Sequence, residues 1–189
     1  MTAPAGRACT SSLPAIVYLS HSGLGPDLEQ GIAAYMLFEG GGYAVFDDRD
    51  ESASEEADVL GAVEDGFIDA AGSGAAIVTA EKNAPMCLTV KAFDRAPPLR
   101  LAGWDRVVEV GIVSRSGRLV VPACPKGGDS GATGPLPNLA VAGPGRYRLR
   151  VHARTASWDE DDPDTSLEEH LIVVCPGRST EKVVHRPRG

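Results

Sequence analysis

The 189-residue sequence predicts a mostly β fold: an antiparallel β-sandwich of about eight strands, with one or two short helices near the N-terminus. Three observations carry this. Short apolar runs recur between turn-forming clusters. From Tyr147 to Arg154, apolar and charged residues alternate strictly, the period of a half-buried strand. The chain also holds 22 Gly and 14 Pro, a composition that favours many turns.

Ala15 to Leu19 (AIVYL) reads as a short strand. Asp27 to Glu39 reads as a helix, with Pro26 before it, Gly40-Gly41-Gly42 after it, and Leu28, Ile32, Tyr35 and Met36 on one face. Tyr43 to Asp47 is strand-like, and Glu55 to Val63 reads as a second short helix. Phe67–Ala70 and Ala75–Ala80 form two strands around Gly72-Ser73-Gly74. In Met86 to Phe93, Met86, Leu88, Val90 and Ala92 are expected inside, with Thr89 and Lys91 outside. Arg106 to Val113 places Val108, Val110 and Ile112 on one face. Ser114–Gly117 reads as a hairpin turn from which Arg118–Val121 returns. Gly143-Pro144-Gly145 fits a type II turn, with Gly145 at the position that requires positive φ. In the next strand Tyr147, Leu149, Val151 and Ala153 face the core, while Arg148, Arg150, His152 and Arg154 form a wet face paired with acids on a neighbour. His170 to Cys175 (HLIVVC) is apolar enough for a central strand. The expected organisation is an N-terminal extension over 1–41, a sandwich domain over 42–178 and a loose tail over 179–189.

Composition narrows the function. The net charge is −8, whereas a duplex DNA binder needs excess Lys and Arg to displace counterions. A basic protein is the better-matched partner, and no direct nucleic-acid or membrane contact is expected. Cys9, Cys87, Cys124 and Cys175 form no C-x-x-C pair, which argues against a zinc ribbon or a thioredoxin-type site; Cys87 and Cys175 fall in apolar runs and read as buried hydrophobes. Met1 to Pro14 lacks the apolar stretch of a secretory leader, so a cytoplasmic protein is expected.

No catalytic constellation is complete. Gly128-Asp129-Ser130-Gly131 matches the nucleophile loop of trypsin-like proteases, but none of His21, His152, His170 and His185 sits in that family's histidine motif. His21-Ser22-Gly23 follows a strand without a G-x-S-x-G elbow. Gly40-Gly41-Gly42 lacks the Lys and Ser/Thr of a phosphate loop. The dense acids after Trp158 lack EF-hand spacing. No catalytic residue, metal or cofactor is therefore expected. The Arg148–Arg154 stripe lacks the exposed aromatics of a single-strand reader.

Acid clustering is the stronger signal. Residues 47–65 hold nine acids, residues 159–169 hold seven, and together they account for 16 of the 26 in the chain. Brought together they would form a negative patch able to steer onto a basic cleft. The expected partner-binding residues are Asp47, Asp48 and Asp50 from the first segment, with Asp159, Glu160, Asp161, Asp162 and Asp164 from the second. Trp158 is the expected aromatic anchor, since Trp is enriched among binding hot spots.

From Tyr43 to Cys175 the order YAVFD, an acidic spacer, EDGFIDAAGSGAAIVTA, MCLTVKAFD, WDRVVEVGIVSRSGRLVV, PNLAVAGPGRYRLRVHA and EEHLIVVCPG resembles the competence protein J family of DNA-entry nuclease inhibitors and its uncharacterised relatives. Residues 125–135 and the first 40 have no counterpart in that pattern. The resemblance implies a β-sandwich and inhibition of a nuclease by direct binding. The expected function is thus a non-catalytic binding module, an inhibitor or immunity-type protein; the alternatives are a small hydrolase using His21 or Ser130, and a ligand-binding sandwich.

Overall fold

The computed structural model describes residues 18–21, 42–50, 53, 59–79, 86–121, 138–157 and 166–187. Ten strands occur among them: β1 (Tyr18–His21), β2 (Gly42–Asp47), β3 (Ile68–Ala71), β4 (Gly74–Val78), β5 (Met86–Ala92), β6 (Arg106–Ser114), β7 (Leu119–Val120), β8 (Gly145–Ser157), β9 (Ser166–Pro176) and β10 (Val183–Arg186), with one helix, α1 (Val59–Asp65). They build a six-stranded sheet in the order β1-β5-β9-β8-β6-β10 and a four-stranded sheet in the order β3-β4-β2-β7. The fold is mostly β, as the turn-rich sequence predicts. The helix expected over 27–39 lies outside the described residues.

One core fills the space between the sheets. Tyr43 and Val45 of β2 and Ile77 of β4 meet Val108, Val110 and Ile112 of β6, Tyr147, Leu149 and Val151 of β8, and Ile172 and Val174 of β9. On β5, Leu88 and Val90 are buried and Ala92 packs against the same core, as the alternation predicts. The far face of the smaller sheet is covered by α1, where Ala62 meets Ala44 and Ala76.

The pairing departs from the expected pattern at several points. β5 runs parallel to β9, from Met86↔Glu168 to Ala92↔Val174, so the larger sheet is mixed rather than wholly antiparallel. A parallel neighbour needs a crossover connection, and β6, β7 and β8 supply it. The segment after Ser114–Gly117 does not return along β6. β7 crosses to the smaller sheet and pairs with β2 through Phe46↔Val120. The positive φ expected at Gly145 occurs at Gly143 instead (+78°). There the turn closes by Gly143 N–H donating to Ala140 O at 3.0 Å, and the Tyr147 hydroxyl donates to Gly143 O at 2.5 Å. The first and last described strands join the larger sheet: β1 pairs with β5, and β10, expected as part of a loose tail, pairs with β6.

The outer face of β8 is the largest correction. Expected wet, it is buried: Arg148 and Arg150 are each 8% exposed and His152 2%. Residues 177–182 cross over it, and Arg148 Nη1 donates to the carbonyls of Ser179 (2.9 Å) and Glu181 (2.7 Å). The expected acid partners are present. Glu109 of β6 accepts from Arg148 Nε at 2.7 Å and from Arg150 Nε at 2.6 Å, and Glu169 of β9 accepts from Arg154 Nε at 2.5 Å. Burial alone would raise Glu109, but the two arginine hydrogen bonds hold it below the ordinary carboxylate range. Lys91, expected outside, is also buried, and its pKa falls through desolvation and the repulsion of Arg100. Cys175 on the same face is buried as expected, and burial pushes its thiol up.

This packing yields two predictions. A Cβ at Gly111 would lie 2.6 Å from Thr180 Cα and would also strike the Ser179 carbonyl. Gly111→Ala should therefore cost about 1–3 kcal/mol by overpacking, read as a lowered urea midpoint. An unchanged midpoint would mean that the crossing segment does not press on β6. His152 is held near pKa 4, down from 6.5, chiefly by desolvation. The unfolded chain then binds the extra proton between those values, so stability is full above pH 6.5 and falls as pH drops toward 4. The loss is about 3 kcal/mol in all. Urea unfolding of His152→Gln at pH 7 and pH 4.5 should show a smaller pH-dependent loss than the parent chain.

Candidate functional site

Hydrogen-bond register decides which titratable groups meet. Ser114 pairs with Gly145 at one end of the β6–β8 ladder, and Arg106 pairs with Ala153 toward the other. β8 continues to Ser157, which pairs with Ser166. From Gly145 to Ser157 the strand makes twelve steps, roughly 40 Å at about 3.3 Å per residue.

Asp47, Asp48 and Asp50 lie at the Ser114 end. Asp47 is fully buried. Its carboxylate accepts from Ser114 Oγ at 3.0 Å, Ser116 N–H at 2.7 Å, Arg49 N–H at 3.2 Å and the Ser116 hydroxyl. Desolvation raises its pKa, but the hydrogen bonds of Ser116, Arg49 and Ser114 outweigh that, and the net shift is downward. Asp48 pairs with Arg118 Nε at 2.6 Å; Asp50 pairs with Arg115 Nη1 at 2.5 Å and accepts from Ser73 Oγ at 2.7 Å. These acids tie β2 to the turn after β6. Asp47 offers no accessible carboxylate to a partner, which corrects its expected role.

Trp158, Asp159, Glu160, Asp161, Asp162 and Asp164 lie outside the described residues. The strands they connect end at the Ser157↔Ser166 pair, the opposite end from Asp47. Of the first segment, Asp47, Asp48 and Asp50 lie at the Ser114 end, whereas Asp65 pairs with Arg106, which lines the cavity with Glu168 of the second segment. Glu168 and Glu169, counted with the second segment, are buried residues of β9. Of the hydrolase candidates, His21 closes β1 and Ser130 lies outside the described residues.

The far end of the sandwich holds a cavity of about 290 Å³, lined by Gly66, Phe67, Val78, Asp105, Arg106, Ala153, Arg154, Thr155, Glu168, Arg186 and Pro187. Behind Glu168 runs a buried chain of polar groups. The Glu168 carboxylate lies 2.7 Å from His170 Nε2, and His170 Nδ1 lies 2.8 Å from the Tyr43 hydroxyl on the opposing sheet. Glu168 is 6% exposed, His170 1% and Tyr43 0%. Burial, then the Glu168 charge, pushes the Tyr43 phenol well above its ordinary pKa, so it keeps its proton. In the neutral imidazole, Tyr43 donates to Nδ1 and Nε2–H donates to Glu168. Phe67 meets the His170 ring edge-on at 5.8 Å. Only Glu168, among the three, lines the cavity, so this chain positions a carboxylate there.

Three arginines also line the cavity. Arg106 lies over the Phe67 ring at 4.5 Å, donates to Gly66 O at 2.9 Å and pairs with Asp65 at 3.3 Å. Arg154 lies over Trp104 at 5.0 Å and pairs with Glu169. Arg186 donates to Leu101 O at 3.1 Å, and Asp105 accepts from Thr155 N–H at 2.9 Å. Sequence reasoning missed this constellation. One signal existed: Glu168 and His170 are two apart, so a strand places both on one face. Among the described residues, no group of three or more His, Cys, Asp or Glu is arranged to hold a metal ion, and no helix is long and apolar enough to cross a membrane.

No protein-family model matches the chain, and no curated protein matches it. A solved structure titled "Crocagin biosynthetic gene J" is similar, with a TM-score of 0.37 and 17% identity over 86% of this chain and 97% of that one. Likeness at that level carries no argument about function.

The Tyr43–His170–Glu168 chain is testable directly. Tyr43→Phe leaves a buried ring nitrogen without its donor and should cost about 1–3 kcal/mol, read by urea unfolding, with a shift in the His170 ring-nitrogen NMR signals. Unchanged ring signals would mean the phenol does not set the tautomer.

Proposed function

We propose that this chain is a non-catalytic protein-binding module that docks a basic partner, of which a nuclease is the chemically matched example, through the cavity end of the sandwich. The observation that carries the reading is the Ser157↔Ser166 pair. Between those two positions the sequence holds Trp158, Asp159, Glu160, Asp161, Asp162 and Asp164 and no Lys or Arg. Asp105 and Glu168 line the adjoining cavity. Concentrated negative charge speeds encounter with a basic surface and selects against acidic ones, and a neighbouring Trp suits a hot-spot anchor. The acids at the Ser114 end are not part of this surface. The resemblance to the nuclease-inhibitor family of competence protein J points the same way, and inhibition would follow from covering a basic active-site cleft, with no covalent step.

The experiment is a pull-down with the full chain from its native host, followed by activity assays on captured basic proteins. A captured nuclease should be inhibited by the purified chain, less so at high salt. Asp161→Lys with Asp162→Lys should weaken inhibition at least about tenfold, on the scale of lost charge pairs across an interface. A nuclease inhibited equally by parent and variant would refute the surface. Failure to capture any basic protein would refute the partner class.

A further inference from the structure

The outer face of the larger sheet carries positive charge that the chain does not match. On β5, Leu88 and Val90 point into the core, so Lys91 points the other way. Lys91 pairs in register with Val173 of β9, which pairs with Arg150 of β8, so the three form one row across that face. The residues between β5 and β6 fold back over it: the Trp104 ring lies 5.3 Å from the His152 ring, and His152 hydrogen-bonds the Arg100 backbone. Lys91 is left 8% exposed. Desolvation lowers its pKa, and Arg100 comes near enough for its charge to lower it further. Among the described residues, neither the Lys91 nor the Arg100 side chain makes an ion pair or a hydrogen bond. The acids nearby do not supply the missing charge. Glu109 already serves Arg148 and Arg150, and Glu169 serves Arg154. Asp94, exposed just after β5, pairs with neither cation.

We infer that Lys91 and Arg100 form a binding site for the phosphate group of a small ligand, free phosphate or a phosphomonoester, on the outer face of β5. A buried charge without a partner costs free energy, and an anion drawn from solution removes that cost. Two unmatched cations call for two negative charges. A phosphate group carries about −1.5 to −2 at neutral pH and three strong acceptor oxygens, whereas a carboxylate carries one charge. A guanidinium grips such a group as a fork and an ammonium meets it as a point charge, so the two side chains complement it in kind as well as in sign. With the anion in place, two groups that repel each other are both attracted to one centre. The covered stem of Lys91 is already ordered by packing, so little side-chain freedom is left to lose on binding. The inference is independent of the docking proposal: it uses the outer face of the larger sheet, not the cavity end, and none of residues 158–164.

The test is isothermal titration calorimetry of the full chain with inorganic phosphate, glycerol 3-phosphate and acetate at constant ionic strength, joined to thermal unfolding in chloride. A phosphate probe should bind saturably at one site, at least about tenfold more tightly than acetate, the scale of one charged hydrogen bond. Tighter binding of glycerol 3-phosphate than of phosphate would assign the site to a phosphomonoester, and equal or weaker binding to free phosphate. Lys91→Met and Arg100→Gln should each weaken the phosphate probes at least about tenfold. In chloride, Lys91→Met should unfold about 2–4 °C above the parent, because it removes an unmatched charge and keeps the apolar stem. A lysine whose charge served the fold itself would give a lower midpoint instead. Absence of saturable phosphate binding, equal affinity for acetate, unchanged affinity in Lys91→Met, or a lowered midpoint for that variant would each overturn the assignment.

Discussion

Strand β8 lies between β6 and β9 and is buried on both faces, so its row of outward charges has to be neutralised where it stands. An unpaired buried charge is costly enough to unfold a small domain. Glu109 answers by accepting from both Arg148 and Arg150, and Glu169 answers Arg154. The segment that follows β9 lies over the face and takes further donors from Arg148 through its carbonyls. A one-residue slip of β6 or β9 against β8 would part every one of these pairs and turn the apolar row outward. The charge pairing and the core alternation thus specify the same register, and that register sets where every other group in the larger sheet lies.

Two polar ties then join this sheet to the smaller one. At one end, buried Asp47 of β2 gathers Ser114 and Ser116 around its carboxylate. Across the core, Tyr43 of the same strand reaches His170 of β9. The first tie closes its end of the sandwich, using carboxylate charge that a surface patch would otherwise present. The second leads to Glu168, which lines the cavity at the other end. The two ends therefore differ: one is a fastening, the other holds the cavity.

Much of this was legible in the residues. The strands around Tyr43, Ile77, Leu88, Val110, Leu149 and Ile172 follow from apolar alternation and turn chemistry, which act over a few residues. The acid partners of the β8 arginines were also foreseeable, since exposed or buried, a charged strand row wants opposite charge beside it. The cavity was not legible. Phe67, Arg106, Arg154, Glu168 and Arg186 are scattered over some 120 positions, and only pairing brings them together. The parallel β5–β9 pair and the crossing of β7 to the smaller sheet were hidden for the same reason, because local pattern does not name a strand's neighbour.

By itself the sequence determined which segments become strands, which of their faces are apolar, and that the chain carries more acid than base. Those are properties of neighbouring residues and of the whole count. Tertiary structure alone decided which acids are spent as fastenings, which face of β8 is covered, and which charges meet in a cavity. A carboxylate's role depends on what lies within hydrogen-bond reach of it. Asp47 and Glu168 differ little as letters in an acidic stretch, yet register puts one among serines at one end and the other against a buried histidine at the cavity end.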